Sequence, residues 1–311
     1  MEEKKNYVTV EELVKVSNNY YLKLLNENRL EVILKAIGLF PDQTILNDIL
    51  ILGQNNNATC VKRMKDWNYY HRNIIKGEKA IKVISHHRET ENNNDNGELI
   101  ISGNEKLVAD VGYLFDISQT QGKNYDYLNS NKETIASYFE QVKSSLEKSL
   151  KSYEFKYSNI ENNFEIDNTN KVILIKDGLT INELINTLIE SVVTTLFTFR
   201  KEEGIKPKDK ANIRQIEIKS AIYAINSRLG LDLPKADFSE VVSYTDEEKV
   251  LFETNLRKVR SVTKQVLSNI ENTIEYSIRN LGKPKEKKPY IASENKQEKP
   301  KIRMFDEVLD A

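Results

Sequence analysis

Leu13, Val16, Tyr20 and Leu24 recur at helical intervals behind Thr9-Val10-Glu11-Glu12, a stretch with the spacing of a capping box, so a helix is predicted from about Val10. A second helix is predicted to end near Ala36–Gly38, with Gly38 and Pro41 as its punctuation. Thr44 to Leu52 reads as a short apolar helix feeding a turn at Gln54–Asn57. Thr59 to Trp67 reads as another, with Val61 and Met64 on its inner side. At Lys79 the period changes. Ile81 and Val83 alternate with Lys82, the mark of a strand with one buried face, and Val108 to Ile117 has the same character. Between them Glu89–Glu105 is polar, with Asn92–Gly97 at its tip, and reads as an exposed loop or hairpin tip. Ser118–Gly122 closes this part of the chain.

The second half is more helical. Ile135, Tyr138, Val142, Leu146 and Leu150 make one stripe over Glu133–Tyr153. Lys171–Lys176 is a strand that stops at Asp177-Gly178. Thr180-Ile181-Asn182-Glu183 repeats the capping-box spacing and opens a helix to about Lys201. Another helix runs from Asp209 to Leu229 and ends at Gly230. The last starts at Thr245–Glu248 and carries a seam of Val259, Val262, Val266, Ile270, Ile274 and Ile278. That seam serves either packing within the chain or a coiled-coil dimer. Beyond Gly282 the composition turns to Lys, Glu, Pro and Gln, too polar to order itself. Lys301–Ala311 regains Met304, Phe305 and Val308, which suits either a partner-docking segment or a frayed end. The pattern predicts an α+β protein: a domain over 1–130, a mostly helical one over 131–282, and a disordered tail over 283–311.

Composition narrows the function classes. A hydrophobic fraction of 39% with 30% charged residues is that of a soluble globular chain. A net charge of −1 exerts no global pull on nucleic acid or acidic membranes, so such binding has to come from a local patch. The single cysteine, Cys60, excludes an internal disulfide and fits a reducing cytoplasm. The N-terminus lacks the apolar core of a signal peptide, and no run approaches the ~18 apolar residues of a membrane span. A cytoplasmic protein with no membrane partner is expected.

One local patch has the right chemistry. Lys62, Arg63, Lys65, Arg72, Lys76 and Lys79 lie close in sequence to Trp67, Tyr69 and Tyr70. Cations interleaved with aromatic faces hold single-stranded nucleic acid by pairing with phosphate and stacking on bases. In this reading Arg63, Arg72, Lys76, Lys79 and Lys82 neutralise phosphates, Trp67 or Tyr69 and Tyr70 stack, and Gln54 and Asn56 shape the turn. The alternative makes Trp67 a core anchor and the lysines a solvated rim.

Gln54-Asn55-Asn56-Asn57-Ala58-Thr59, Trp67, Lys76-Gly77-Glu78-Lys79-Ala80-Ile81 and Phe115-Asp116-Ile117-Ser118-Gln119-Thr120 resemble, in order and spacing, the N-terminal domain of ArdC/LtrC-type proteins. The resemblance implies a single-stranded DNA-binding domain of a protein carried by plasmids and other conjugative elements, where some members protect incoming DNA from restriction. It also implies that a zincin-like metallopeptidase domain follows, and here the chain departs from the family. Zincin chemistry grips one metal with two imidazoles at i and i+4, beside a glutamate acting as general base. This chain has Asn182-Glu183-Leu184-Ile185-Asn186 in that place, and Lys219 where the third, carboxylate ligand would stand. Amides are weak zinc ligands, and an ammonium repels the cation. No metal, cofactor or catalysis is expected, and Glu183 is read as the capping partner of Thr180.

Other constellations are weaker. His86 and His87 are adjacent on a predicted strand and point to opposite faces, so they do not chelate one ion together. Cys60 with His71 lacks a third orienting group, and no Gly-rich phosphate loop occurs. The expectation is a non-catalytic, largely sequence-independent single-stranded DNA-binding protein of a plasmid, conjugative element or phage. The alternative is a pseudoenzyme scaffold that recruits a partner through its second domain and Lys301–Ala311.

Overall fold

The structure, a computed structural model, describes residues 8–90, 105–124, 132–199, 210–234 and 237–280. The predicted Asn92–Gly97 tip and the Lys301–Ala311 segment lie outside them.

The fold is mixed helix and sheet. It opens with α1 (Val10–Asn26), α2 (Leu30–Leu39) and α3 (Ile45–Gln54). Thr9 and Glu12 form the expected capping box on α1, and the Thr44 hydroxyl accepts the Asn47 amide at the start of α3. α2 ends one residue past the predicted Ala36–Gly38 end, with Gly38 in its last turn. A Cβ at that position would sit 2.0 Å from the Ala224 carbonyl oxygen, so glycine is what lets this helix close on a partner from the second half.

The Thr59–Trp67 helix of the sequence reading is replaced by a strand and a shorter helix. β1 (Val61–Lys62) comes first and α4 (Met64–Tyr69) follows, with Met64 exposed. A two-residue strand is too short for any period to reveal. β2 (Arg72–Ile74), β3 (Ile81–Thr90), β4 (Glu105–Asp116) and β5 (Thr120–Gly122) complete the first half. β3 and β4 pair antiparallel from Ile81↔Leu114 to Thr90↔Glu105, and β1 adds to the other side of β4. β2 and β5 form a separate antiparallel ladder.

In the second half the single Glu133–Tyr153 helix is broken into α5 (Lys132–Ser137) and α6 (Phe139–Lys148). The Tyr138 amide turns back to Ile135, while Ile135, Val142, Leu146 and Leu150 keep the predicted buried stripe. β6 (Glu154–Ser158), β7 (Phe164–Asp167) and β8 (Val172–Lys176) form a sheet in the order β6-β8-β7. β6 and β7 were not anticipated, since half-exposed strands this polar carry little apolar signal. Then come α7 (Ile181–Thr198), α8 (Lys210–Leu229), the short α9 (Ser239–Val242) and α10 (Asp246–Asn280). The α10 seam is spent inside the chain, against α2, α6, α7 and α8. The largest apolar cluster joins Leu24, Ile33, Trp67 and Ile117 to Leu188, Ile225, Val262 and Ile274, so both halves contribute to one core.

Candidate nucleic-acid interface

The segments that carry the family resemblance are stitched to one another. Asp116 Oδ1 accepts the amides of Thr59 (2.8 Å) and Cys60 (2.9 Å), and its Oδ2 accepts the Ser118 amide and hydroxyl. The Trp67 indole N–H donates to the Phe115 carbonyl at 2.8 Å. The Gln119 side chain donates to Glu78 Oε2 and the Lys79 carbonyl, tying down the Lys76–Lys79 turn. Arg72 donates through Nε to Thr120 Oγ1 (2.7 Å), through Nη1 to the Lys123 carbonyl (2.5 Å) and through Nη2 to the Thr120 carbonyl (2.8 Å). Gln54 exchanges two hydrogen bonds with the backbone of Lys82.

Two candidates therefore belong to the scaffold. Trp67 is 0% exposed and fills the core, so of its two readings the anchor is the one the fold uses. Arg72 is also buried, and its N–H groups are directed at neutral oxygens of its own ladder. Burial leaves neither an indole face for a base nor a guanidinium for a phosphate. Gln54 is exposed, but its amide is committed to Lys82.

The remaining candidates split into groups. Arg63, Tyr69 and Tyr70 line a groove of about 530 Å³ that also takes in Lys62, Ser85, Gly112 and Tyr113. Tyr69 is 63% exposed and Tyr113 54% exposed. Lys62 Nζ lies 4.9 Å from the centre of the Tyr70 ring, and Tyr69 meets Tyr70 edge-on at 5.4 Å. Burial, followed by Glu275 and other acidic neighbours, pushes the Tyr70 hydroxyl up to about 12, so it stays neutral. Asn56, Lys76 and Lys79 are exposed on turns and do not line this groove, nor does the half-buried Lys82. Tyr113 escaped the sequence reading. Its register opposite Lys82, with buried Leu114 on the next position, is the signal that could have found it.

Cys60 and His71 do not form a nucleophile pair. Burial raises the thiol's pKa, although Arg228 opposes this, and His71 is exposed at a corner with φ 52°. His86 and His87 are both exposed on β3.

Asn182 and Asn186 are half-buried, one turn apart on α7. Asn186 Oδ1 accepts a hydrogen bond from Asn226 Nδ2 at 3.0 Å, and Asn226 also donates to the Asp232 carbonyl. Asn182 Oδ1 is buried without a hydrogen-bond partner. Glu183 is exposed and turned to its own N-cap, accepting from the Thr180 amide and hydroxyl, which lowers its pKa. Lys219 is exposed and stands seven residues before Asn226, about 10 Å along the helix axis. The residue facing Asn186 from α8 is thus Asn226, not Lys219. Two amides, a capping carboxylate and a distant ammonium do not fit a zinc ion. Among the described residues no cluster of three or more His, Cys, Asp or Glu is placed to hold a metal.

No protein-family description matches the chain, and no curated protein matches it. Among solved structures it is similar to the antirestriction protein ArdC from the R388 plasmid. The metal-free crystal structure shares 12% identity over 73% of this chain and 85% of that one, with a TM-score of 0.39. The Mn(II)-bound structure gives 12%, 73%, 84% and 0.38. Among the described residues, no helix is long and apolar enough to cross a membrane.

Proposed function

We propose that the chain is a non-catalytic, single-stranded DNA-binding protein of a mobile genetic element, serving antirestriction or DNA transfer. The observation that carries this reading is the groove where Tyr69 and Tyr113 are exposed beside Tyr70, Lys62 and Arg63. Aromatic rings that accept any base, with cations that accept any phosphate, bind single strands with little regard to sequence. Arg63, Tyr69 and Tyr70 are contact residues, Tyr113 joins them, and Lys76 and Lys79 extend the positive field. The non-catalytic part is supported by the Asn186–Asn226 bond and by the Glu183 carboxylate's engagement with Thr180. Those groups serve the fold in place of metal chemistry.

The test is fluorescence anisotropy with labelled single-stranded and duplex oligonucleotides across a salt series. Single strands should be preferred, with a log–log slope of about −0.7 per phosphate contact. A Tyr69→Ala/Tyr113→Ala variant, which removes two exposed rings, should keep its melting temperature and lose at least ~10-fold in affinity, given ~1–3 kcal/mol per stacked base. Absence of binding at micromolar protein and low salt would sink the reading.

A further inference from the structure

We infer that a second, more positive cleft takes the phosphodiester backbone of the same strand, so that the bound stretch extends past the tyrosine groove. This rests on the single-stranded DNA reading above. The cleft is about 1090 Å³, larger than the groove, and Tyr20, Arg29, Lys35, Asn56, Asn57 and Ser118 border it. Arg72 and Arg228 lie in its wall.

Its charge balance distinguishes it. Of the described residues lining it, Asp116 alone is acidic, and that buried carboxylate is committed to the amides of Thr59, Cys60 and Ser118. Arg228 is paired with Glu271 at 2.8 Å, whereas the hydrogen bonds of Arg72 run to neutral oxygens. Arg29 and Lys35 are exposed, and among the described residues neither is held in an ion pair. On the groove's wall Arg63 is paired with Asp66 and Asp42 with Lys264, which leaves Lys62 as its one described cation outside an ion pair, against Arg29 and Lys35 at the cleft. Fields from unbalanced cations in a concave site gather polyanions and release their counterions. Tyr20 adds an aromatic ring at the border, the second ingredient of single-strand binding.

Continuity with the groove comes from the backbone. Asn56, Asn57, Ala58 and Thr59 border the cleft, and Val61, Lys62 and Arg63 border the groove. Thr59 and Val61 are two residues apart, no more than ~7 Å. In this proposal one strand spans both, passing this segment of the backbone.

The experiment compares labelled oligothymidylates of about six and about twenty nucleotides, lengths that bracket common single-strand site sizes. They are titrated against the full chain and an Arg29→Ala/Lys35→Ala variant. The wild type should bind the long probe more tightly. The variant should lose about 10-fold or more on the long probe, its salt slope becoming shallower by about 1.4 for two lost phosphate contacts. Its affinity for the short probe and its melting temperature should be unchanged. If the wild type binds both probes and the variant changes neither, the second cleft is overturned while the DNA-binding reading stands. Equal losses on both probes would place Arg29 and Lys35 in the primary site and overturn it too. A wild type that binds neither probe removes the underlying reading itself.

Discussion

The Asn47 side chain stands in for a missing strand beside Ile84. Its Nδ2 donates to the Ile84 carbonyl at 2.8 Å, and its Oδ1 accepts the Ile84 amide at 2.8 Å. Two helical turns on, Gln54 repeats the exchange with Lys82, at 2.7 and 2.9 Å. β3 is the edge of its sheet, and an open edge is a template for unwanted pairing. Two amides on α3 close it. Asn47 is buried, so Asn47→Ala leaves a donor and an acceptor of Ile84 unsatisfied and should cost about 2–4 kcal/mol. Gln54→Ala, where water can replace the amide, should cost no more than about 1 kcal/mol. Urea denaturation of both variants checks the ranking.

Arg72 should behave as a structural residue even in a DNA-binding assay. Its guanidinium holds the Ile117–Lys123 stretch through neutral acceptors from inside the fold. Arg72→Lys cannot reproduce a planar fork with one ammonium. The expected loss is about 2–3 kcal/mol of stability, on the scale of hydrogen bonds to charged groups. Thermal melting should register it in the absence of DNA. An Arg72→Lys protein that melts normally yet binds DNA poorly would return Arg72 to the interface.

The elements set by local chemistry were legible in the sequence. The Thr9 and Thr180 capping boxes and the α10 seam needed only neighbours in the chain, and each formed as read. Part of what failed was set by partners distant in sequence. Gly38 does mark the end of α2, but nothing nearby announces the Ala224 carbonyl against which that end packs. Thr59 and Cys60 left the helical pattern because Asp116 draws their amides into its carboxylate. The basic and aromatic residue types of the candidate interface were legible too, but not which of them face solvent. Trp67 and Arg72 turned inward because carbonyls of Phe115 and Thr120, some 48 positions away, accept their N–H groups. Tyr113 came outward because strand register put it there.

Asp48 gives the fold a pH dependence of unusual sign. It is fully buried on α3 and ion-paired to Arg260 of α10, whose Nη1 also donates to the Phe40 carbonyl at 2.9 Å. Burial raises the carboxyl's pKa to about 7 despite the pull of Arg260. In the unfolded chain the group releases its proton near 4. Between those values the folded state holds the extra proton, so this group's contribution to stability falls as pH rises from about 4 to 7, then levels off. Asp48→Asn should flatten that part of the stability–pH curve, measured by chemical denaturation from pH 4 to 8. An unchanged curve would mean the ion pair holds the carboxylate ionised throughout.

Placing imidazoles on α7 should not create a zinc site. Asn182→His/Asn186→His would put two nitrogen ligands one turn apart on one face, the geometry a metal needs. The third corner is the difficulty. Lys219 is exposed, within electrostatic reach of Asp237, whereas Asn226 lies 3.0 Å from Asn186. The double variant should therefore keep well under one equivalent of zinc after gel filtration, by elemental analysis. Adding Asn226→His should raise retention, because that position faces the new ligands. Adding Lys219→Glu should not. Stoichiometric zinc with Lys219→Glu and none with Asn226→His would reverse the assignment and place the third ligand position at 219.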